Sequence, residues 1–125
     1  MDFINHKTAA KALVETQYVF ALDGSGWMKG ERWNQLIVSV KNILSHLGIS
    51  PNNKASIVVF NDTAKIIFEN RDPSMINVNC LNMPGGVTTP AAPFKAANEI
   101  FQRYLGRMCL YFIYVSDGDG DHPAA

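Results

Sequence analysis

Two aspartates, far apart in the chain, each follow an apolar run and could together hold a cation. Asp23 comes directly after the run at 17–22, and Asp117 follows the run at 109–115 after a single serine. Open α/β sheets bind ligands at the carboxyl ends of their strands, so neighbouring strands would bring the two carboxylates together there. Two such carboxylates repel each other unless a proton or a cation lies between them. A hard divalent cation is the simpler solution, because the other side chains at hand are hydroxyls.

These hydroxyls lie close to the first aspartate and in a glycine-rich segment. Ser25 lies two residues after Asp23, and Thr88 and Thr89 follow a pair of glycines. Either threonine could instead cap the helix that follows, a role that is compatible with ligating an ion. Asp23 and Ser25 could likewise do no more than shape the loop after the strand. With Asp117 in place, the cation site is the preferred hypothesis.

Three other kinds of site fit parts of the sequence less well. Glycines at 24, 26 and 30 after a strand suggest a dinucleotide-binding turn, but Asp23 would repel the pyrophosphate. A phosphoryl-transfer enzyme with Asp23 as its nucleophile needs a general acid nearby, and position 25 is a serine. Asp117, Asp119 and Asp121 alternate like the first ligands of an EF-hand loop, yet no glycine stands at the sixth place.

The spacing of apolar residues predicts the elements that must position these side chains. Apolar runs predict strands at 17–22, 55–60, 64–68 and 109–115, with a tight turn between the second and third. Helical spacing predicts one helix over 31–47 and another from 91 to 105, each followed by a glycine, and 71–84 is a turn-rich connection. This order predicts an open, mostly parallel, doubly wound α/β sheet of the Rossmann-like kind. Helices cover both faces, and one hairpin strand at the edge is antiparallel.

Length and composition indicate one ordinary domain with no strong preference for a charged partner. The chain has 125 residues, of which 47% are hydrophobic, enough for a buried core. We divide it into an N-terminal extension (1–16) and a domain (17–125). Lys plus Arg equals Asp plus Glu at 11 each, which argues against nucleic acid and anionic lipid as partners.

The sequence also carries expectations about compartment and thiols. The first residues hold no apolar stretch of signal-peptide length, and no run reaches the roughly 20 apolar residues of a membrane span. We therefore expect a cytoplasmic protein that does not enter a membrane. Cys80 and Cys109 are expected to be buried free thiols.

Three segments, in order, resemble the metal-ion-dependent adhesion site (MIDAS) of von Willebrand factor A domains. They are 20–28 (FALDGSGWM), 85–89 (GGVTT) and 115–118 (VSDG). In that family the first segment reads D-x-S-x-S, the second supplies a threonine after a glycine-rich loop, and the third supplies an aspartate. The resemblance implies that Mg²⁺, or Mn²⁺ or Ca²⁺ in its place, is held directly or through water by Asp23, Ser25, Thr88 and Asp117.

Two departures from the family pattern bear on that site. Trp27 stands where the family has its second serine, and an indole offers no oxygen. Either water fills that position and the affinity falls, or the site is degenerate and holds no ion. The family domain also carries two further β-α units after the strand that precedes Asp117. Without them the last strand would be an edge that could pair with another chain.

The resemblance also implies a function without chemistry. In the family the ion keeps an open position that a carboxylate of a protein partner fills, and no bond is made or broken. This implies a non-enzymatic protein interaction module that recognises an acidic side chain. The expected rim of the contact is formed by Trp27, Met28, Thr89 and Asp119. Two alternatives stay open: a structural subunit of a larger assembly with a degenerate, metal-free site, and a nucleotide-binding α/β enzyme.

Overall fold

The computed structural model describes residues 15–87, 89 and 91–116. Its strands are β1 (Thr16–Asp23), β2 (Asn53–Phe60), β3 (Ala64–Arg71) and β4 (Cys109–Val115), and its helices are α1 (Glu31–Leu47) and α2 (Ala91–Tyr104). The strands form one sheet in the order β3-β2-β1-β4. β1 pairs in parallel with β2 and β4, and β3 is antiparallel to β2. The predicted mostly parallel sheet with an antiparallel edge strand is confirmed.

A helix covers each face of this sheet. α1 buries a row of three residues against one face: Leu36, Val40 and Leu44. α2 packs on the opposite face through Ala97 and Ile100. Burying one such aliphatic side chain contributes about 1.5–3 kcal/mol, so these rows hold both helices on the sheet. β1 lies between them and is apolar and buried from residue 19 to 22, which explains why its sequence shows no alternation.

Local turn chemistry sets the ends of the elements. Gly106 follows α2 with φ +82°, a conformation that favours glycine. The connection after β3 contains two short 3-10 turns, Pro73–Met75 and Val78–Cys80. The carboxylate of Asp72 accepts the backbone N–H of Ser74 at 3.0 Å and caps the first of them. The predicted turn-rich connection is therefore confirmed.

The two edges of the sheet differ in charge. β3 carries the charged residues Lys65, Glu69 and Arg71, and its pairing with β2 is irregular. β4 carries no charged residue, and its Tyr111 and Tyr114 are about half exposed. Within the described part of the chain, no strand pairs with the outer side of β4.

Both cysteines are exposed, which corrects the expectation that they are buried. Cys109 begins the edge strand β4. Cys80 ends a 3-10 turn outside the sheet, where its Sγ donates a hydrogen bond to the carbonyl of Asn77 at 2.9 Å. Among the helices of the described residues, none combines the length and apolar character that a membrane crossing requires.

Candidate metal centre

The pairing of β1 with β4 places the ends of the two predicted ligand-bearing strands side by side. In the last pair, Leu22 of β1 lies opposite Val115 of β4. The condition for the two carboxylates to meet, that these strands are neighbours, is therefore met. Asp23 is the last residue of β1, whereas Thr88, Asp117 and Asp119 lie outside the described residues. That the two carboxylates meet therefore stays a prediction.

The Asp23 carboxylate is held in a buried turn. The residue is 6% exposed, and its Oδ1 accepts the backbone N–H of Ser25 at 3.1 Å. This hydrogen bond closes an Asx turn, which fixes the carboxylate relative to the next two residues. Within this turn, the N–H of Gly24 donates to the carbonyl of Phe60 at 2.8 Å and connects the turn to β2. Asp23 therefore has a defined position at the carboxyl end of the sheet.

Ser25 has the least satisfied side chain at this end of the sheet. It is 1% exposed, and no described residue lies within hydrogen-bonding distance of its Oγ. The residue occupies the N-cap position of the 3-10 turn Gly26–Met28, but its side chain makes no capping hydrogen bond there. Leaving a buried hydroxyl without a partner costs about 1–3 kcal/mol. An oxygen in this state is available to a ligand.

The glycine-rich segment is docked against this turn. We call residues 23–28 the β1 loop and residues 84–87 the glycine loop. Two backbone hydrogen bonds join them: Gly85 N–H donates to Gly24 O at 2.7 Å, and Gly26 N–H donates to Gly86 O at 2.8 Å. A Cβ at Gly24 would lie 2.4 Å from Cδ of Pro84, so only glycine allows this approach. The structure therefore brings the first two predicted segments together as far as Val87.

Asn61, at the end of β2, contacts the glycine loop through its side chain. Its Nδ2 donates to the carbonyl of Gly85 at 2.9 Å. From the sequence, Asn61 was interpreted only as part of the turn between β2 and β3. No pattern in the sequence indicates this contact, because it joins residues 24 positions apart in the chain.

Tyr114 of β4 is a second neighbour of the site that the sequence did not single out. Its ring packs against that of Phe60, with 5.4 Å between the centroids. It lies opposite Ala21 in the sheet, and that small side chain leaves room for the contact across β1. Burial raises the pKa of the Tyr114 hydroxyl, and the negative charge of Asp23 raises it further.

The predicted rim is only partly exposed. Trp27 is 37% exposed, and the guanidinium of Arg32 lies 4.9 Å from the centroid of its ring and donates to its carbonyl at 3.3 Å. Thr89 is exposed. Met28 was expected at the rim, but it is fully buried in the core beneath α1, so this prediction is wrong. The 3-10 turn directs Trp27 outward and Met28 inward.

The described donors fit a hard cation in part. Asp23 supplies a carboxylate and Ser25 a hydroxyl, which are the oxygen ligands that Mg²⁺ prefers. Trp27 supplies none. In residues 15–87, 89 and 91–116, no group of three or more His, Cys, Asp or Glu side chains is placed to hold a metal ion. A cation held here would therefore depend on hydroxyls and water as much as on carboxylates.

Comparison with known sequences identifies a family for most of the chain. The sequence model described as "von Willebrand factor type A domain" matches residues 18–118. No curated protein sequence matches the chain.

Several solved structures share the fold. Two are of the type V pili tip protein Mfa5 from Porphyromonas gingivalis: its three N-terminal domains (TM-score 0.63) and its vWF domain (TM-score 0.61), each 19% identical. The matched regions cover 81% and 85% of this chain, but only 19% and 38% of the two Mfa5 chains. A third is the ArnB paralog VWA2 from Sulfolobus acidocaldarius, with TM-score 0.58 and 26% identity over 83% of this chain and 27% of that one. The chain thus spans less than half the length of these proteins.

Proposed function

The chain belongs to the von Willebrand factor type A domain family, and from that premise we propose that it binds a protein partner through a divalent cation. The cation, Mg²⁺ or Mn²⁺, is held at the carboxyl end of β1 by Asp23 and Ser25. Thr88 and Asp117 complete the ligand set, as the resemblance to the family motif implies. The function is recognition, with no chemical step.

The observation that carries this proposal is the Ser25 hydroxyl. It is buried, it has no partner among the described residues, and it follows a buried carboxylate by two positions. A serine that served only to shape the turn would use its hydroxyl to cap the 3-10 turn, and it does not. The Asx turn keeps Asp23 and Ser25 in a fixed relation, which suits two ligands of one ion.

The composition of the site favours an acidic partner. A divalent ion held by few carboxylates and by neutral hydroxyls would retain positive charge toward an open coordination position. Trp27 borders this position with exposed aromatic surface and a guanidinium stacked on it. A side chain carboxylate of a partner, flanked by apolar atoms, matches both features. Membership of the von Willebrand factor type A domain family supports a role in protein interaction.

A second candidate function is a metal-free domain within a larger assembly, and Trp27 favours it. The indole stands where the family motif has a ligand serine, so a bound ion would need one more water and would be held less tightly. The two candidates differ in one measurable property. Only the first predicts stabilisation of the chain by a divalent cation through Asp23 and Ser25.

The test is calorimetric titration of Mg²⁺ and Mn²⁺ into four proteins, the wild type and three variants. We expect weak binding to the wild type, no binding to Asp23→Ala, and tighter binding to Trp27→Ser, which restores an oxygen. Asp62→Ala is the matched control, because Asp62 is an exposed aspartate in the turn between β2 and β3. Its removal should leave binding unchanged. Equal heats in all four proteins would overturn the proposal and leave the metal-free domain.

A further inference from the structure

Asn61 hydrogen-bonds two different segments at once. Toward the turn that follows β2, its backbone N–H donates to Thr63 O at 2.8 Å, and its Oδ1 accepts the N–H of Thr63 at 3.1 Å. Toward the glycine loop, its Nδ2 donates to Gly85 O at 2.9 Å. Its backbone carbonyl also accepts the N–H of Thr89 at 2.9 Å. The two bonds on the loop side are therefore made to Gly85 and to Thr89.

The glycine loop needs such a contact from outside. Gly85 and Gly86 have φ +77° and +79°, so the middle of the loop consists of two residues without side chains in a conformation that favours glycine. This pair of glycines has high conformational freedom and no side chains of its own to anchor it. A Cβ at Gly86 would lie 3.5 Å from Nδ2 of Asn61, which shows how closely the amide packs on the loop.

We propose that Asn61 is a positioning residue of the cation site. Its amide holds the glycine loop, which precedes Thr88 in the sequence, against the β1 loop that carries Asp23 and Ser25. This inference rests on the proposed function, because it assigns a role in setting the affinity for the ion. Outer contacts that orient metal ligands typically change metal affinity about tenfold to hundredfold when they are removed.

Two variants separate the roles of the amide. Asn61→Leu keeps the number and branching of the side-chain heavy atoms and removes every side-chain hydrogen bond. Asn61→Asp keeps the acceptor toward Thr63, loses the donor toward Gly85, and places negative charge beside a carbonyl oxygen. Thr63→Ala is the matched control, because Thr63 Oγ1 donates to the same Oδ1 at 3.3 Å but is not hydrogen-bonded to the glycine loop.

Amide hydrogen exchange in the metal-free protein gives the first readout. We expect the N–H groups of Gly26, Gly85 and Thr89 to exchange about tenfold faster in both Asn61 variants and at the wild-type rate in Thr63→Ala. Wild-type exchange in both Asn61 variants would overturn the inference.

Cation affinity gives the second readout. Titration of Mn²⁺ should show about tenfold to hundredfold weaker binding to Asn61→Leu than to the wild type and to Thr63→Ala. Unchanged affinity in Asn61→Leu would overturn the positioning role while leaving the proposed function intact. A wild type that binds neither Mg²⁺ nor Mn²⁺ would overturn the proposed function, and exchange alone would then decide whether Asn61 holds the loop.

Discussion

Polar side chains are buried at both ends of β1, but only those at the amino end are largely paired with one another. Gln17, near the amino end, is fully buried; its Oε1 accepts the hydroxyl of Ser56, and its Nε2 donates to Sδ of Met108 at 3.7 Å. Ser25, just beyond the carboxyl end, is buried to the same degree and has no partner among the described residues. The paired polar groups at the amino end of β1 indicate a structural role, and the buried Ser25 hydroxyl at the carboxyl end indicates a ligand-binding site.

The amino end has further support from neighbouring strands. The hydroxyl of Ser56 also accepts the N–H of Asn70 at 2.9 Å, where β3 has a positive φ of 53°. One acceptor there, Oδ1 of Asn70, is buried without a described partner. The side chain of Asn70 has a second polar group, its NH₂, whereas the side chain of Ser25 has only its hydroxyl. The contrast between the two ends therefore remains.

Ser56→Ala should have the largest effect on stability. It removes a donor to Gln17 and an acceptor for Asn70, so two buried groups lose their partners at once. We expect a loss of about 2–4 kcal/mol in the free energy of unfolding, measured by urea denaturation. Ser39→Ala, on an exposed position of α1, should stay within about 0.5 kcal/mol of the wild type. A small effect of Ser56→Ala would mean that the amino end is not held by its paired groups.

Gly24→Ala should have the next largest effect, at the carboxyl end. The added methyl group would meet the ring of Pro84 and Cγ1 of Val59, so the glycine loop must move. We expect about 1–3 kcal/mol of destabilisation. Gly26→Ala is the matched control in the same loop, because its Cβ would meet nothing nearer than 3.4 Å. Thermal unfolding of both variants checks the difference, and equal losses would show that the close approach to Pro84 is not the cause.

Glu69→Gln should have a smaller effect that depends on pH. Hydrogen bonds from Arg103, at 2.7 and 3.0 Å, lower the pKa of Glu69 below its ordinary value, and Tyr104 adds to this. A lowered native pKa means that the unfolded chain binds more protons, so this stabilisation is present above the unfolded pKa of about 4.3. It is lost as the pH falls through the native pKa. The free energies of unfolding of the wild type and the variant, measured by urea denaturation across pH, should therefore differ at pH 7 and converge in acid. A difference that stays constant with pH would show that the charge of Glu69 is not the cause.

The elements of the fold could be predicted because each one repeats a simple pattern. The apolar runs at 17–22 and 109–115 indicate strands buried among helices, and the row that includes Leu36 and Val40 indicates the face of α1. The positions of Asp23 and Ser25 also follow from the sequence, since both come directly after a strand. These features depend on residues that are close together in the chain.

The omissions concern contacts between residues far apart in the chain, whereas the error at Met28 concerns a local turn. Met28 was expected at the rim of the partner contact beside Trp27, but a short 3-10 turn directs it into the core. The contact between Asn61 and Gly85 joins two loops, and that between Tyr114 and Phe60 crosses β1. No local pattern encodes such contacts, because they depend on the register between strands and on how closely two loops approach.

Ser25→Ala should have the smallest effect on the metal-free protein and is the sharpest test of the comparison. Removing a buried hydroxyl without a partner should leave the free energy of unfolding within about 0.5 kcal/mol of the wild type or raise it slightly. With a Kd near 1 mM, 10 mM Mg²⁺ would stabilise the wild type by about 1.4 kcal/mol, and the variant should lose most of this gain. Thermal unfolding with and without Mg²⁺ measures both quantities. A clear loss of stability without metal would show that the hydroxyl is structural after all, and the two ends of β1 would then differ only in which partners they use.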